Sequence, residues 1–203
     1  MGSIFDYEGP LISFLERLAD LIILNILFLI CCIPVFTIGA AITALSSITR
    51  KMAGKEEGYI IRDYFKAFKE NFLQATAIWL LLFFFGLVFV ADAFVLLRYG
   101  AGGFFLIFWS LLCIAGLICL FEFIYVFPLL ARFDNSTKNT LKNALLLSVR
   151  FLPWTAVLVL LAVLPLIAGF FYPVIGIPFY LFIGFSLISL AQSCIFRKLF
   201  LSF

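Results

Sequence analysis

Histidine is absent from this chain. Its absence removes the imidazole metal site, the Ser–His and Cys–His nucleophile pairs, and the usual proton shuttle near neutral pH. Charge is scarce too. Asp, Glu, Lys and Arg make up 12% of the 203 residues, about half the share of a soluble domain. No Walker-type glycine-rich loop is present, so nucleotide hydrolysis is not expected. The cysteines, Cys31, Cys32, Cys113, Cys119 and Cys194, form no CxxC pair and lie in apolar runs. They read as small buried hydrophobes, not as a disulfide framework or a thiolate metal site. No cofactor is implied, and nothing in the charge pattern points to nucleic acid. Residues 1–20 lack a basic start and a cleavage pattern, so no signal peptide is expected. No polar interval is long enough for a second folded unit, which makes 1–203 a single transmembrane domain.

What fills the chain is apolar. Hydrophobic residues are 66% of it, with 28 phenylalanines. A bilayer core takes roughly 20 apolar residues of helix, and only helices or closed barrels satisfy their backbone there. The expectation is an all-α integral membrane protein with five transmembrane helices, at about 18–36, 73–97, 104–130, 151–171 and 179–196. A short interfacial helix over 4–17 precedes them. The first apolar run continues past Pro34 to Ile48, too far for one straight crossing. Pro34 interrupts it, and a bent or broken continuation over 37–52, rich in small residues, packs closely against neighbours. Residues 59–72 form a basic amphipathic helix leading into the second span, and 137–150 form another leading into the fourth, with Ser136 as N-cap. Gly100 to Gly103 form a turn.

Lysine and arginine set the orientation. Arg50, Lys51, Lys55, Arg62, Lys66 and Lys69 follow the first span. Arg132, Lys138, Lys142 and Arg150 follow the third, and Arg197 and Lys198 end the fifth. Arg17 and Arg98 remain for the other side. Under the positive-inside rule the large groups are cytoplasmic, giving N-out and C-in. Splitting the first run into two crossings is expected to spread basic regions over both faces, so five spans are preferred.

Polar residues inside the spans are the candidate site. Glu122 in the third span is costly in hydrocarbon and should face the interior or a wet cavity. It reads as a ligand or proton site, or as an interhelical hydrogen bond. Asn25 and Gln192 read as ligand groups or interhelical glue. Asp92 is a ligand group or reaches the headgroups. Arg62, Lys66, Lys69, Lys138 and Lys142 should meet anionic headgroups or a cytoplasmic partner. Gly176 and Gly184, with Tyr180 between, would permit close helix approach and a homo-oligomer.

Several strings together resemble a known family. Glu8-Gly9-Pro10-Leu11, Leu18-Ala19-Asp20-Leu21 and Leu24-Asn25 come first. Cys32-Ile33-Pro34-Val35 and Thr37-Ile38-Gly39-Ala40 follow, then Glu56-Glu57-Gly58-Tyr59-Ile60, Asp63-Tyr64-Phe65-Lys66-Ala67-Phe68-Lys69 and Asn71-Phe72. Over roughly the first 80 residues the chain is similar to the YesL family of small bacterial membrane proteins. That pattern has Trp where this chain has Phe28. The resemblance implies a bacterial plasma-membrane protein encoded near carbohydrate ABC importers and sugar-responsive two-component systems, with no catalytic residue to carry over. The expected role is a non-enzymatic accessory or regulatory protein of carbohydrate ABC import or sugar sensing, partnered by the lipid bilayer and a permease or sensor kinase. The alternative is a small transporter or substrate-binding module with an interior polar site around Glu122.

Overall fold

The computed structural model describes residues 10–56, 58–99, 103–133 and 135–201, and among them there is helix and no strand. Helix α1 is Pro10–Cys32, a short 3₁₀ turn follows at Val35–Thr37, and α2 is Ile38–Gly54. Then come α3 (Ile60–Tyr99), α4 (Gly103–Leu130), α5 (Thr137–Arg150), α6 (Leu152–Phe171) and α7 (Pro173–Phe179). A π-helical turn at Tyr180–Gly184 joins α7 to α8, Phe185–Leu201. Residues 1–9 and 100–102 lie outside the described residues, and with them the start of the expected interfacial helix, 4–9, and most of the expected turn. From Pro10 the chain is continuous with α1.

Four helical stretches are long and apolar enough to cross a membrane: Ile60–Arg98, Ile107–Leu130, Leu152–Phe171 and Pro173–Leu199. Their outward faces carry bare apolar side chains, Phe84 at 63% exposure and Leu97 at 70% among them. Water would penalise such surface; lipid does not. The chain is thus a helical multi-pass membrane protein. The expected first span, 18–36, is not among the four. Its helix stops at Cys32, and Glu16, Arg17 and Asp20 occupy its first half. About 12 apolar helical residues remain, or roughly 18 Å of rise.

Of the bend and the break expected at Pro34, the structure has the break. The Thr37 hydroxyl donates back to the carbonyl of Cys31 or Pro34, each 2.6 Å away. The Trp79 indole N–H donates to the Val35 carbonyl at 2.8 Å. These bonds fold α1 and α2 into an antiparallel hairpin with Val35 at its tip. Leu24 and Phe28 of α1 pack on Ala41, Ala44, Leu45 and Ile48 of α2. The hairpin returns the end of α2 to the start of α1. Arg17 and Asp20 line one cavity with Met52, Lys55, Gly58 and Cys194. The start of α1 therefore shares an end with the close of α8, where opposite ends were expected.

Helix α2 is the pivot. Its stretch from Gly39 to Thr49 is buried apart from Ile42, and its small side chains admit close neighbours. A Cβ on Gly39 would stand 2.6 Å from Trp79 Cβ and tighter still against the Ala75 carbonyl. Only glycine allows α3 so near. Thr49 donates or accepts at 2.9 Å with both Ser189 and Ser193 of α8. Lys51 pairs with Asp63 of α3 at 2.8 Å. The helix ends in a Schellman closure: Lys55 N–H reaches the Met52 carbonyl and Glu56 N–H the Lys51 carbonyl, each at 3.1 Å. Lys55 holds φ 58°, ψ 31° there, although Gly54 is next to it.

The basic stretch over 59–72 was expected to run straight into the second span, and from Ile60 it is helical and continuous with it. It is the first part of α3, 40 residues long without interruption. The second, over 137–150, is α5 with those bounds. Ser136 holds the N-cap position yet makes no side-chain cap bond; its carbonyl instead accepts from the Thr140 N–H at 2.9 Å. Thr155 ties α5 to α6 and α4, donating to the Ser148 carbonyl at 2.8 Å and meeting the Tyr125 hydroxyl at 2.8 Å. The prolines divide: Pro128 and Pro165 sit inside continuous helices, and Pro153 opens α6. The cysteines are not core residues. Cys113 and Cys194 are exposed, and Cys31, Cys32 and Cys119 are half-buried.

Candidate functional site: the basic end of the bundle

Helix ends set the electrostatics of this fold. The start of α1, the close of α2, the start of α3, the close of α4, helix α5 and the close of α8 meet at one end through shared cavities. With them come Arg17, Arg50, Lys55, Arg132, Arg150 and Arg197. Helix C-termini carry partial negative charge, so cations there are favoured. Arg197 acts in this way, donating from Nη1 to the Ala53 carbonyl at the close of α2. The end of α3 at Tyr99 carries Arg98, the one basic residue of the expected outer pair that stays away from this cluster.

The surface cations predicted from sequence lie on two helices. Arg62, Lys66 and Lys69 are exposed on the first third of α3, and Lys138 and Lys142 are exposed on α5. The inner faces of these helices are anchored. Tyr64 and Ala67 of α3 are buried against the hairpin, and Thr140, Ala144 and Ser148 of α5 are buried. Their cationic faces are left to the surroundings.

The intramembrane candidates do not gather. Asn25 is sealed, and every bonding position of its carboxamide is in use. Nδ2 donates to the carbonyls of Tyr180 and Leu181, both at 2.9 Å. Oδ1 accepts from the N–H of Phe185 and of Ser186, both at 3.1 Å. A carboxamide offers two donors and two acceptor lone pairs, so nothing is left for a ligand. A π turn displaces the usual i to i−4 pairing, and Asn25 serves the groups it frees. Ser186 adds a bond from its hydroxyl to the Leu21 carbonyl at 2.8 Å. Gln192, half-buried on α8, donates from Nε2 to the Leu158 carbonyl of α6 at 3.5 Å. Glu122 is half-buried on α4, next to Phe123, which packs on Trp79 with ring centroids 6.1 Å apart. Asp92 is exposed on α3. None of these four lines any of the cavities at the basic end. Among the described residues there is no group of three acidic or cysteine side chains placed to hold a metal ion.

Sequence reasoning missed two features. One is the hydroxyl seam between α2 and α8. Its trace was the spacing of Ser186, Ser189 and Ser193, which puts them on one helical face. The other is the cavity shared by Arg50, Arg132 and Arg197. Its members are far apart in sequence, and only the hairpin brings them together.

Among known proteins, a family model described as "Protein of unknown function, DUF624" matches residues 21–93. The matched stretch begins in the apolar half of α1, takes in the turn and all of α2 and runs through most of α3. Over that stretch the chain is similar to this family. No curated protein and no solved structure matches the chain.

Proposed function

We propose that this is a non-enzymatic accessory or regulatory protein of the bacterial plasma membrane, whose basic end lies in the cytosol and docks a partner at the membrane surface. The observation that carries the reading is the gathering of the cationic segments at one end of the bundle, with Arg98 at the far end of α3. The positive-inside rule puts such an end in the cytosol. Four crossing helices and a hairpin then return both termini to that side, N-in and C-in. This assignment leaves fewer basic residues outside than five spans do.

The outward faces of α3 and α5, with Arg62, Lys66, Lys69, Lys138 and Lys142, suit an anionic surface. Anionic lipid contributes about 1 kcal/mol per Lys or Arg at a membrane surface, enough for these residues to hold both helices against headgroups while a partner engages them. The resemblance of the first 80 residues to the YesL family adds the partner class: a carbohydrate ABC permease or a sugar-responsive sensor kinase. The saturated carboxamide of Asn25 argues against the rival reading, an interior polar site assembled from Asn25, Glu122 and Gln192.

Two measurements test this. Reporter fusions at each terminus should both read cytosolic; an N-terminal reporter outside the cell overturns the orientation. Affinity capture from native membranes should recover a permease, a solute-binding protein or a sensor kinase. Capture that repeatedly returns the chain without any of these overturns the accessory role.

A further inference from the structure

Three arginines from three separate parts of the chain face one cavity of about 240 Å³. Arg50 comes from the last turns of α2, Arg132 from the turn after α4, and Arg197 from the last turns of α8. Ser46 and Ser193 supply hydroxyls to the same lining, which Gly54 and Pro128 complete. Among the described lining residues Glu56 alone is acidic.

Helix-end capping accounts for part of this arrangement and not for all of it. Arg197 serves the Ala53 carbonyl, and each arginine stands near a helix C-terminus, where a cation is welcome. Capping needs one cation per helix end, however, and does not need them to face each other. Here they do so closely enough to matter. Partial burial, and then the charge of Arg50, hold the Arg132 guanidinium below the ordinary arginine value. Arg50 adds a second sign. Its Nε is shut away from solvent and meets no acceptor among the described residues. A sealed N–H without an acceptor is costly, and more so on a charged group. An anion in the cavity would supply that acceptor and cancel the repulsion together.

We propose that this cavity is a binding site for a phosphate-bearing anion, held by Arg50, Arg132 and Arg197 with Ser46 and Ser193 donating from the wall. Guanidinium is the group of choice here, since its planar fork matches two phosphate oxygens at once. The volume equals about eight waters, so it admits the phosphate and the first atoms of a substituent. The cavity is at the basic end, where both a cytosolic phosphorylated solute and the headgroup of an anionic lipid are within reach. The site stands apart from the accessory role: it would exist whether or not a permease or kinase is the partner.

The test uses the full chain purified in a zwitterionic detergent and follows its thermal unfolding. One arm titrates inorganic phosphate, with chloride at matched ionic strength as control. The other titrates phosphatidylglycerol into the micelles, with phosphatidylcholine as control. A saturable rise in melting temperature in the first arm identifies a free phosphate ligand; a rise confined to the second identifies a lipid headgroup. Either result supports the site, provided Arg132→Gln weakens it by about tenfold or more, Arg132→Lys keeps part of it, and Arg98→Gln, at the far end of α3, leaves it unchanged. Arg50→Gln serves as the second variant should Arg132→Gln fold poorly. No rise in either arm overturns the proposal, as does a rise equally large in Arg132→Gln and Arg50→Gln.

Discussion

Replacing Asn25 by alanine should do more damage than any other truncation of one polar side chain within the helices. The change strands the carbonyls of Tyr180 and Leu181 and the N–H groups of Phe185 and Ser186, which now meet the carboxamide at 2.9–3.1 Å. Interhelical hydrogen bonds in membrane proteins average about 0.6 kcal/mol each. Four of them set a lower limit of about 2 kcal/mol. Buried groups left unpaired cost about 1–3 kcal/mol each, but the π turn can tighten and recover some of them, so an upper figure of about 5 kcal/mol is reasonable. For a chain of this size 1 kcal/mol moves the melting temperature by about 2–4 °C. The expected fall is therefore about 4–20 °C, read by circular dichroism or intrinsic fluorescence in detergent. Asn25→Asp is the sharper variant. It keeps the acceptor but turns the donor into a second acceptor aimed at two carbonyls, so it should be at least as harmful as alanine. A fall of less than about 2 °C in Asn25→Ala, or tolerance of Asn25→Asp, would refute the claim that this side chain completes the π turn.

Two further outcomes follow from backbone geometry. Lys55→Gly should raise stability by about 1 kcal/mol, because a left-handed conformation burdens any side chain by about 1–2 kcal/mol and glycine adopts it freely; thermal unfolding reads the gain, and a loss would contradict the helix ending described. Gly39→Ala should cost about 1–3 kcal/mol, since its new methyl group meets the Ala75 carbonyl and Trp79 Cβ, and the same assay would expose a neutral result.

Much of the fold was legible because lipid imposes length and hydropathy on each crossing. The limits of α5 and α6, the apolar runs of α3 and α4, and the helix after Gly58 all follow from periodicity and punctuation. The hairpin did not follow. Pro34 signals a break but not its angle. The reversal depends on Thr37 reaching back and on Trp79 reaching across from a helix more than forty residues later. Without that turn the sequence separates Arg17 from the basic helix ends, whereas the structure sets it in one cavity with Lys55 and Gly58. The polar residues show the same limit. Sequence singles out Asn25 because it is polar among apolar neighbours, but not whether its hydrogen bonds are already taken. Their partners, 155 to 161 residues away, decide that. The arginine cavity was invisible because Arg50, Arg132 and Arg197 are each ordinary helix-end cations until the ends are brought together.

Helix α3 runs for 40 residues without a break, a rod of about 60 Å. Its first third bears the cationic face and its last turn bears Arg98. A partner that rocks the near end by about 5° must swing the far end by about 5 Å if the rod stays straight. Gly86, with open space where a side chain would be, is the point along it best able to flex and absorb that stroke.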